Sequence, residues 1–155
     1  MLPAVASIIL LAAWLGAAVL VAGVVAPAAF AVLPSRAMAG ALVGRVLPVL
    51  FWSGMVVGIG VIVATWNVAP RGGRIGAVVV LIVSCAAAQL VVAPRIARLR
   101  ERIGGSIDAL DAADPMRLAF GRLHGVSVAA LGVGAAAALV ALVLVTRLVT
   151  SRSTS

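Results

Sequence analysis

The chain has no lysine, one cysteine, one histidine and only four acidic residues among its 155 positions. A single cysteine, Cys85, excludes an intramolecular disulfide and a cysteine-rich metal site. All four acids lie within residues 95–117, outside every long apolar run: Glu101, Asp108, Asp111 and Asp114. Cation-coupled transport usually needs a carboxylate inside the membrane, and a Ser/His/Asp hydrolytic site needs an acid beside its histidine. Both classes are therefore disfavoured, and no enzymatic reaction is indicated.

Apolar residues dominate what is present, with 65% hydrophobic and 10% charged residues and a mean hydropathy of +1.29. Soluble domains carry about 25% charged residues. Four apolar runs are each long enough to cross a hydrocarbon core, which needs roughly 20 residues: 3–31, 47–68, 75–94 and 120–146. Backbone groups must pair within each segment in lipid. The sequence predicts one all-α domain over residues 1–155, an integral membrane four-helix bundle.

The arginines indicate how the bundle is oriented. Loop 32–46 and segment 95–122 share one side and hold eight arginines, whereas the opposite side holds four: Arg71, Arg74, Arg147 and Arg152. Because cytoplasmic loops are enriched in basic residues, the arginine-rich side is predicted to face the cytoplasm. Both termini are then predicted on the outer side of the cytoplasmic membrane. The arginines flank apolar runs and form no basic patch with aromatic residues, so anionic headgroups, not nucleic acid, are the expected partner.

Segment 95–117 is the main polar segment. Its first residues, PRIARLRER, are expected to continue the third helix until Gly104–Gly105 ends it. Asp114 followed by Pro115 is typical of an N-cap and a first helical position. The fourth helix is therefore predicted to begin near Pro115, and the aspartates of this loop match no calcium-loop spacing.

Two pairs of similar short motifs suggest an internal duplication of the sequence. VVAP occurs at 24–27 and again at 91–94, and GRVL at 44–47 is matched by GRLH at 121–124. The bundle would then consist of two duplicated helical hairpins, with His124 where the first half has Leu47.

Glycine pairs with GxxxG spacing allow close helix contacts. Such pairs include Gly40/Gly44, Gly54/Gly58 and Gly121/Gly125. Such pairs either pack helices together within one chain or form a homodimer interface, and the sequence is compatible with both.

Few polar residues lie inside the runs, and ionisable groups there are functional candidates by default. Gln89 and His124 fall at similar depths on consecutive antiparallel helices, so we expect a hydrogen bond between them, direct or through a water. Phe120 and Ser127 share the helix face of His124. Two further candidates are Trp52, at comparable depth in the second run, and Arg122, an expected headgroup anchor.

Three roles for His124 follow. It could be a neutral imidazole that fixes helix register, or a proton-accepting or substrate-binding group in a cytoplasm-facing cavity. It could also ligate haem or copper, although a bis-histidine haem would require a dimer. Cys85 is expected to be a small buried residue, and mid-span Trp14 to pack inside the bundle.

Phe120, Leu123, His124 and Ser127 form F-x-x-L-H-x-x-S at the start of the fourth run. With the four-run layout, this resembles the transmembrane-protein-205-like family, catalogued among bacteria as domain of unknown function 4149. The first-helix ending P-x-x-F-x-x-L at residues 27–33 and the Pro94–Arg95 exit of the third run are also similar. The resemblance implies a membrane protein with no assigned reaction, whose animal relatives are associated with tolerance to platinum drugs.

The favoured function is an accessory or structural membrane protein linked to metal or toxic-compound tolerance. One alternative is a haem- or copper-binding membrane redox protein that uses His124. Another is a small-molecule facilitator or exporter, which requires a water-accessible cavity that reaches His124.

Overall fold

Four long helices make up the computed structural model, which describes residues 2–68 and 72–153, with side chains to residue 150. They are α1 (Leu2–Val32), α2 (Arg36–Thr65), α3 (Gly72–Ile103) and α4 (Pro115–Ser153). Each is long and apolar enough to cross a membrane, and no strand occurs in the residues just given. The predicted all-α four-helix bundle is confirmed.

The helices pack as a ring in which α1 and α3 each contact both α2 and α4. The core inside the ring draws on all four helices, including Leu11, Phe51, Leu81 and Ala138. Two hairpins related by a twofold axis would give this arrangement, because the α1–α2 contact then corresponds to the α3–α4 contact.

The two VVAP sequences coincide with π-helical turns. Val21–Val25 interrupts α1 and Ala87–Val92 interrupts α3, each ending two residues before a proline. A proline ring inside a regular helix collides with the carbonyl four residues earlier, and a wider π turn relieves that crowding. The two turns end at equivalent positions of the repeat, as the predicted duplication requires.

The connection between α1 and α2 is much shorter than the sequence predicts. The predicted loop 32–46 is wrong, because α2 begins at Arg36 and the side chain of Ser35 caps it by accepting from the Met38 amide. Apolar content identified only the part of α2 after Arg45. The polar first turns are helical as well, with Arg36 and Arg45 exposed.

Both ends of the polar segment after α3 are as predicted. Gly104 ends α3 with a φ of 63°, a left-handed conformation that glycine adopts without a Cβ clash. Asp114 caps α4 through its Oδ1, which accepts from the Met116 amide at 2.7 Å. Asp111 Oδ1 accepts from the Ala113 amide in the same loop.

Three helices meet most closely at Gly54 of α2. A Cβ there would lie 2.7 Å from Cys85 Sγ and 2.9 Å from Trp14 Cε2. Both neighbours are buried, as predicted. The Trp14 indole Nε1 also donates to the Leu50 carbonyl of α2 at 2.9 Å.

The three glycine pairs have different surroundings. Gly54 and Gly58 pack against α3, whereas Gly40 and Gly44 face the Arg100 guanidinium. A Cβ at Gly121 or Gly125 would meet nothing within 4 Å in the described part of the chain. Of these three pairs, Gly121/Gly125 has an open face, and the homodimer stays a prediction.

Replacing Trp14 with Phe tests the indole hydrogen bond. We expect Trp14→Phe to lower the free energy of unfolding by about 1 kcal/mol, since it removes one buried hydrogen bond and keeps most of the ring. Thermal unfolding in detergent measures this, with Trp66→Phe at a half-exposed position as the matched control. Equal stability of the two variants would contradict a contribution from the Trp14–Leu50 bond.

The arginine count treats Arg74 as a residue at the headgroup surface. In the structure, Arg74 is buried inside the protein instead. Its side chain is only 2% exposed. Its Nη2 donates to the Thr65 carbonyl at 2.8 Å and to the Val68 carbonyl at 2.6 Å. Arg74 thus holds the C-terminal end of α2 against the start of α3, because the last carbonyls of a helix have no partner within it.

Candidate functional site

A cavity of about 790 Å³ opens at the arginine-rich end of the bundle, where α1 and α3 finish and α2 and α4 begin. All four helices and the loop after α3 line it. Its rim includes the exposed Arg36, Ser106 and Asp108. Its walls combine aromatic rings with polar groups: Phe30, Phe51, Phe120, Gln89, Arg100, His124 and Ser127.

The deep end of the cavity is formed by Phe51, Gln89 and Ser127. Phe51 is 2% and Ser127 7% exposed. Gln89 lies within the π turn of α3, and its buried Oε1 has no hydrogen-bond partner among the described residues. Because an unpaired buried acceptor costs free energy, this atom marks a place where a ligand donor or a water is stabilised.

Gln89 and His124 line the same cavity, but the predicted direct hydrogen bond between them is not formed. His124 instead stacks on Phe120, with ring centroids 6.2 Å apart and ring planes 6° from parallel. The two residues are four positions apart and therefore neighbours on one helix face. The stacked orientation fixes the imidazole on its own helix and leaves Gln89 Oε1 unpaired.

Arg100 completes the wall beside Phe120. Its guanidinium carbon lies 5.4 Å from the centroid of the Phe120 ring, within the range of a cation–π interaction. On its other side the guanidinium lies beside Gly40 and Gly44, where an added Cβ would come within 3.5 Å of its nitrogens. The guanidinium therefore lies next to the glycine face of α2, at ordinary contact distance.

Sequence reasoning missed Arg100, although a signal was present. Five residues of α3 line the cavity: Gln89, Ala93, Ile96, Ala97 and Arg100. Their spacing of i, i+4, i+7, i+8 and i+11 is that of one helix face. Extending the face of Gln89 past the end of the apolar run would have reached Arg100.

Two predicted candidates lie outside the cavity. Trp52, a candidate because of its depth, does not line the cavity: it is 51% exposed on the outer surface, and its neighbour Phe51 faces inward. Successive helical residues differ by about 100° in direction, since 3.6 residues make a turn. Arg122 is exposed and does not line the cavity, a position compatible with its expected role as a headgroup anchor.

The ligands available for a metal are few. His124 is the single histidine of the chain, and Cys85 packs in the core beside Gly54, away from the cavity. Within the ranges that the structure describes, no three His, Cys, Asp or Glu side chains lie together as a metal-binding group. Haem or copper ligation by His124 stays a prediction that would need further ligands, such as those of a second copy.

The ring of four apolar helices defines a multi-pass membrane protein with a largely apolar cavity, which contains a few polar groups, at one end. The chain belongs to the family described as Domain of unknown function (DUF4149), whose model matches residues 9–104. No curated protein and no solved structure matches it. The family match contains Gln89 and Arg100, whereas the α4 side of the cavity, with Phe120 and His124, lies beyond it.

Proposed function

We propose that the protein is a small-molecule facilitator or exporter of the cytoplasmic membrane, and that the cavity at its arginine-rich end binds the molecule. The observation that carries the proposal is the cavity itself, which reaches His124 as a facilitator requires. A binding pocket is typically apolar with a few convergent polar groups. The aromatic walls, the unpaired Gln89 amide oxygen and the Arg100 guanidinium have this composition.

His124 would contact the bound molecule in this proposal. Stacking on Phe120 engages the face of the imidazole ring, so the two ring nitrogens at its edge are available to a ligand. A role as a register-fixing group bonded to Gln89 is less well supported, because that bond is absent.

The proposed orientation places the arginine-rich end in the cytoplasm. Because Arg74 is buried and caps a helix, fewer arginines reach headgroups on the opposite side. The difference in surface arginines between the two sides, on which the positive-inside rule depends, is therefore larger. The resemblance of the α4 motif to the transmembrane-protein-205-like family further suggests tolerance to toxic compounds, and a cavity that accepts organic molecules fits such a role.

Cysteine labelling tests the accessible cavity and the orientation together. In a Cys85→Ala background, which has no other cysteine, Ser127→Cys should react with a membrane-impermeant methanethiosulfonate applied from the cytoplasmic face. Ala88→Cys is the matched control, because Ala88 is fully buried on α3 and does not line the cavity. We expect rapid labelling of the first variant and none of the second.

The outcomes separate the parts of the proposal. Labelling of Ser127→Cys only from the outer face would overturn the orientation. Lack of labelling from either face would overturn the accessible cavity. A Soret band in protein purified from its native host that is lost in His124→Ala would replace the proposal with the haem-binding alternative.

A further inference from the structure

We infer that the ligand of this cavity is an amphipathic organic anion, a carboxylate or phosphate on an apolar body, and that Arg100 recognises its charge. The inference rests on the proposed function and specifies the class of molecule. Four steps carry it: the charge at the cavity, the position of Arg100, the apolar walls and the amide at the deep end.

The cavity carries a net positive charge. Arg36 and Arg100 both line it, and Asp108 is the acid that faces them from the loop. Across residues 2–68 and 72–153, neither arginine has an ion pair or a hydrogen bond to another residue. A guanidinium offers five N–H donors and no acceptor, so an anion is the ligand that suits these groups.

Two other arginines near this end, Arg98 and Arg117, donate to backbone carbonyls of the protein itself. The Arg117 Nη1 donates to the Leu110 carbonyl at 2.7 Å, and Arg98 Nε donates to the Pro94 carbonyl at 3.3 Å. Arg100, which is exposed, instead lies over the ring of Phe120 and beside Gly40 and Gly44. Neither contact is a hydrogen bond, so the guanidinium N–H groups remain for bidentate binding of a carboxylate or phosphate.

The remaining walls suit an apolar body. Side chains from α1, α2 and α3 provide a largely hydrocarbon lining between the rim and the deep end: Phe30, Val43, Leu47, Phe51 and Ile96. With an inorganic anion bound, this apolar lining would stay in contact with water, whereas a bound alkyl or aromatic group would bury it. The combination selects an amphiphile over a small ion.

Gln89 adds a second polar contact at the far end of the cavity. Its unpaired Oε1 can accept from a hydroxyl or N–H group of the ligand. Arg100 lies eleven positions after Gln89 along α3, roughly 16 to 17 Å at the rise of a helix. A medium-chain acid with a terminal hydroxyl therefore spans both groups.

Titration calorimetry in phosphatidylcholine nanodiscs, with empty nanodiscs as background, tests the inference. The probes are 12-hydroxydodecanoate, dodecanoate and the neutral 1,12-dodecanediol. We expect the hydroxy acid to bind most tightly, and Arg100→Gln to weaken it about tenfold, as the loss of a charge-assisted contact does. Arg102→Gln, an exposed position of the same helix that does not line this cavity, should leave binding unchanged. Gln89→Leu should abolish the preference for the hydroxy acid over dodecanoate.

A further titration with phosphatidylglycerol tests whether the bound anion is a membrane lipid headgroup. Binding of this lipid that depends on Arg100, without binding of either acid, would support an anion site and assign it to a membrane headgroup. Equal weakening by Arg100→Gln and Arg102→Gln would overturn recognition by Arg100. If the diol bound and Arg100→Gln did not change its affinity, the inference of an anionic ligand would be overturned. Continued labelling of Ser127→Cys would in that case retain the proposed function.

Discussion

Gly54→Val is expected to lower the free energy of unfolding by about 3 kcal/mol, at the upper end of overpacking effects. The first added carbon would lie 2.7 Å from Cys85 Sγ and 2.9 Å from Trp14 Cε2, closer than real Cβ atoms approach. These atoms belong to α3 and α1, so relief requires α2 to move away from two helices. Close packing is the main force between helices in lipid, and the whole bundle therefore loses stability.

The matched control is Gly60→Val on the same helix. An added Cβ at Gly60 meets nothing within 4 Å, so its effect should stay within about 0.5 kcal/mol. Reversible unfolding in mixed micelles measures both variants. Adding Cys85→Ala to Gly54→Val should restore part of the lost stability, because one of the two clashing groups is removed. Equal effects at Gly54 and Gly60 would contradict the close contact.

Arg74→Leu should also destabilise the protein by about 3 kcal/mol or more. The substitution removes hydrogen bonds to the Thr65 and Val68 carbonyls, and charge-assisted bonds each contribute about 1.5–3 kcal/mol. It also leaves carbonyl oxygens at the end of α2 without these donors. We expect the loss to appear as a lower unfolding midpoint in the same mixed micelles.

Two further variants separate capping from charge. Arg74→Lys keeps the charge but lacks the forked donors, so it should recover only part of the stability. Arg147→Leu removes an exposed arginine near the same end of the bundle and should have little effect. If Arg147→Leu were as destabilising as Arg74→Leu, net charge rather than the capping contacts would be responsible.

The candidate site could be predicted in part. Phe120, His124 and Ser127 lie at i, i+4 and i+7, and all three line the cavity. Trp52 was a candidate because of its depth, whereas its neighbour Phe51 lines the cavity. The sequence could not distinguish the two, because α2 is apolar on every side and no polar face indicates its rotation. Gln89 lines the same cavity as His124, but the orientation of His124 depends on the ring of Phe120.

The sequence by itself determined the number of helices, their apolar character and the ends at Gly104 and Asp114. Each follows from local physics, since backbone groups must pair within a segment in lipid and caps act within one turn. Only the tertiary structure decided which side of each helix faces inward, and hence the close approach at Gly54 and the cavity around Arg100. Rotation about a helix axis in lipid is determined by the shapes of neighbouring helices, and a uniformly apolar segment carries no local signal for it.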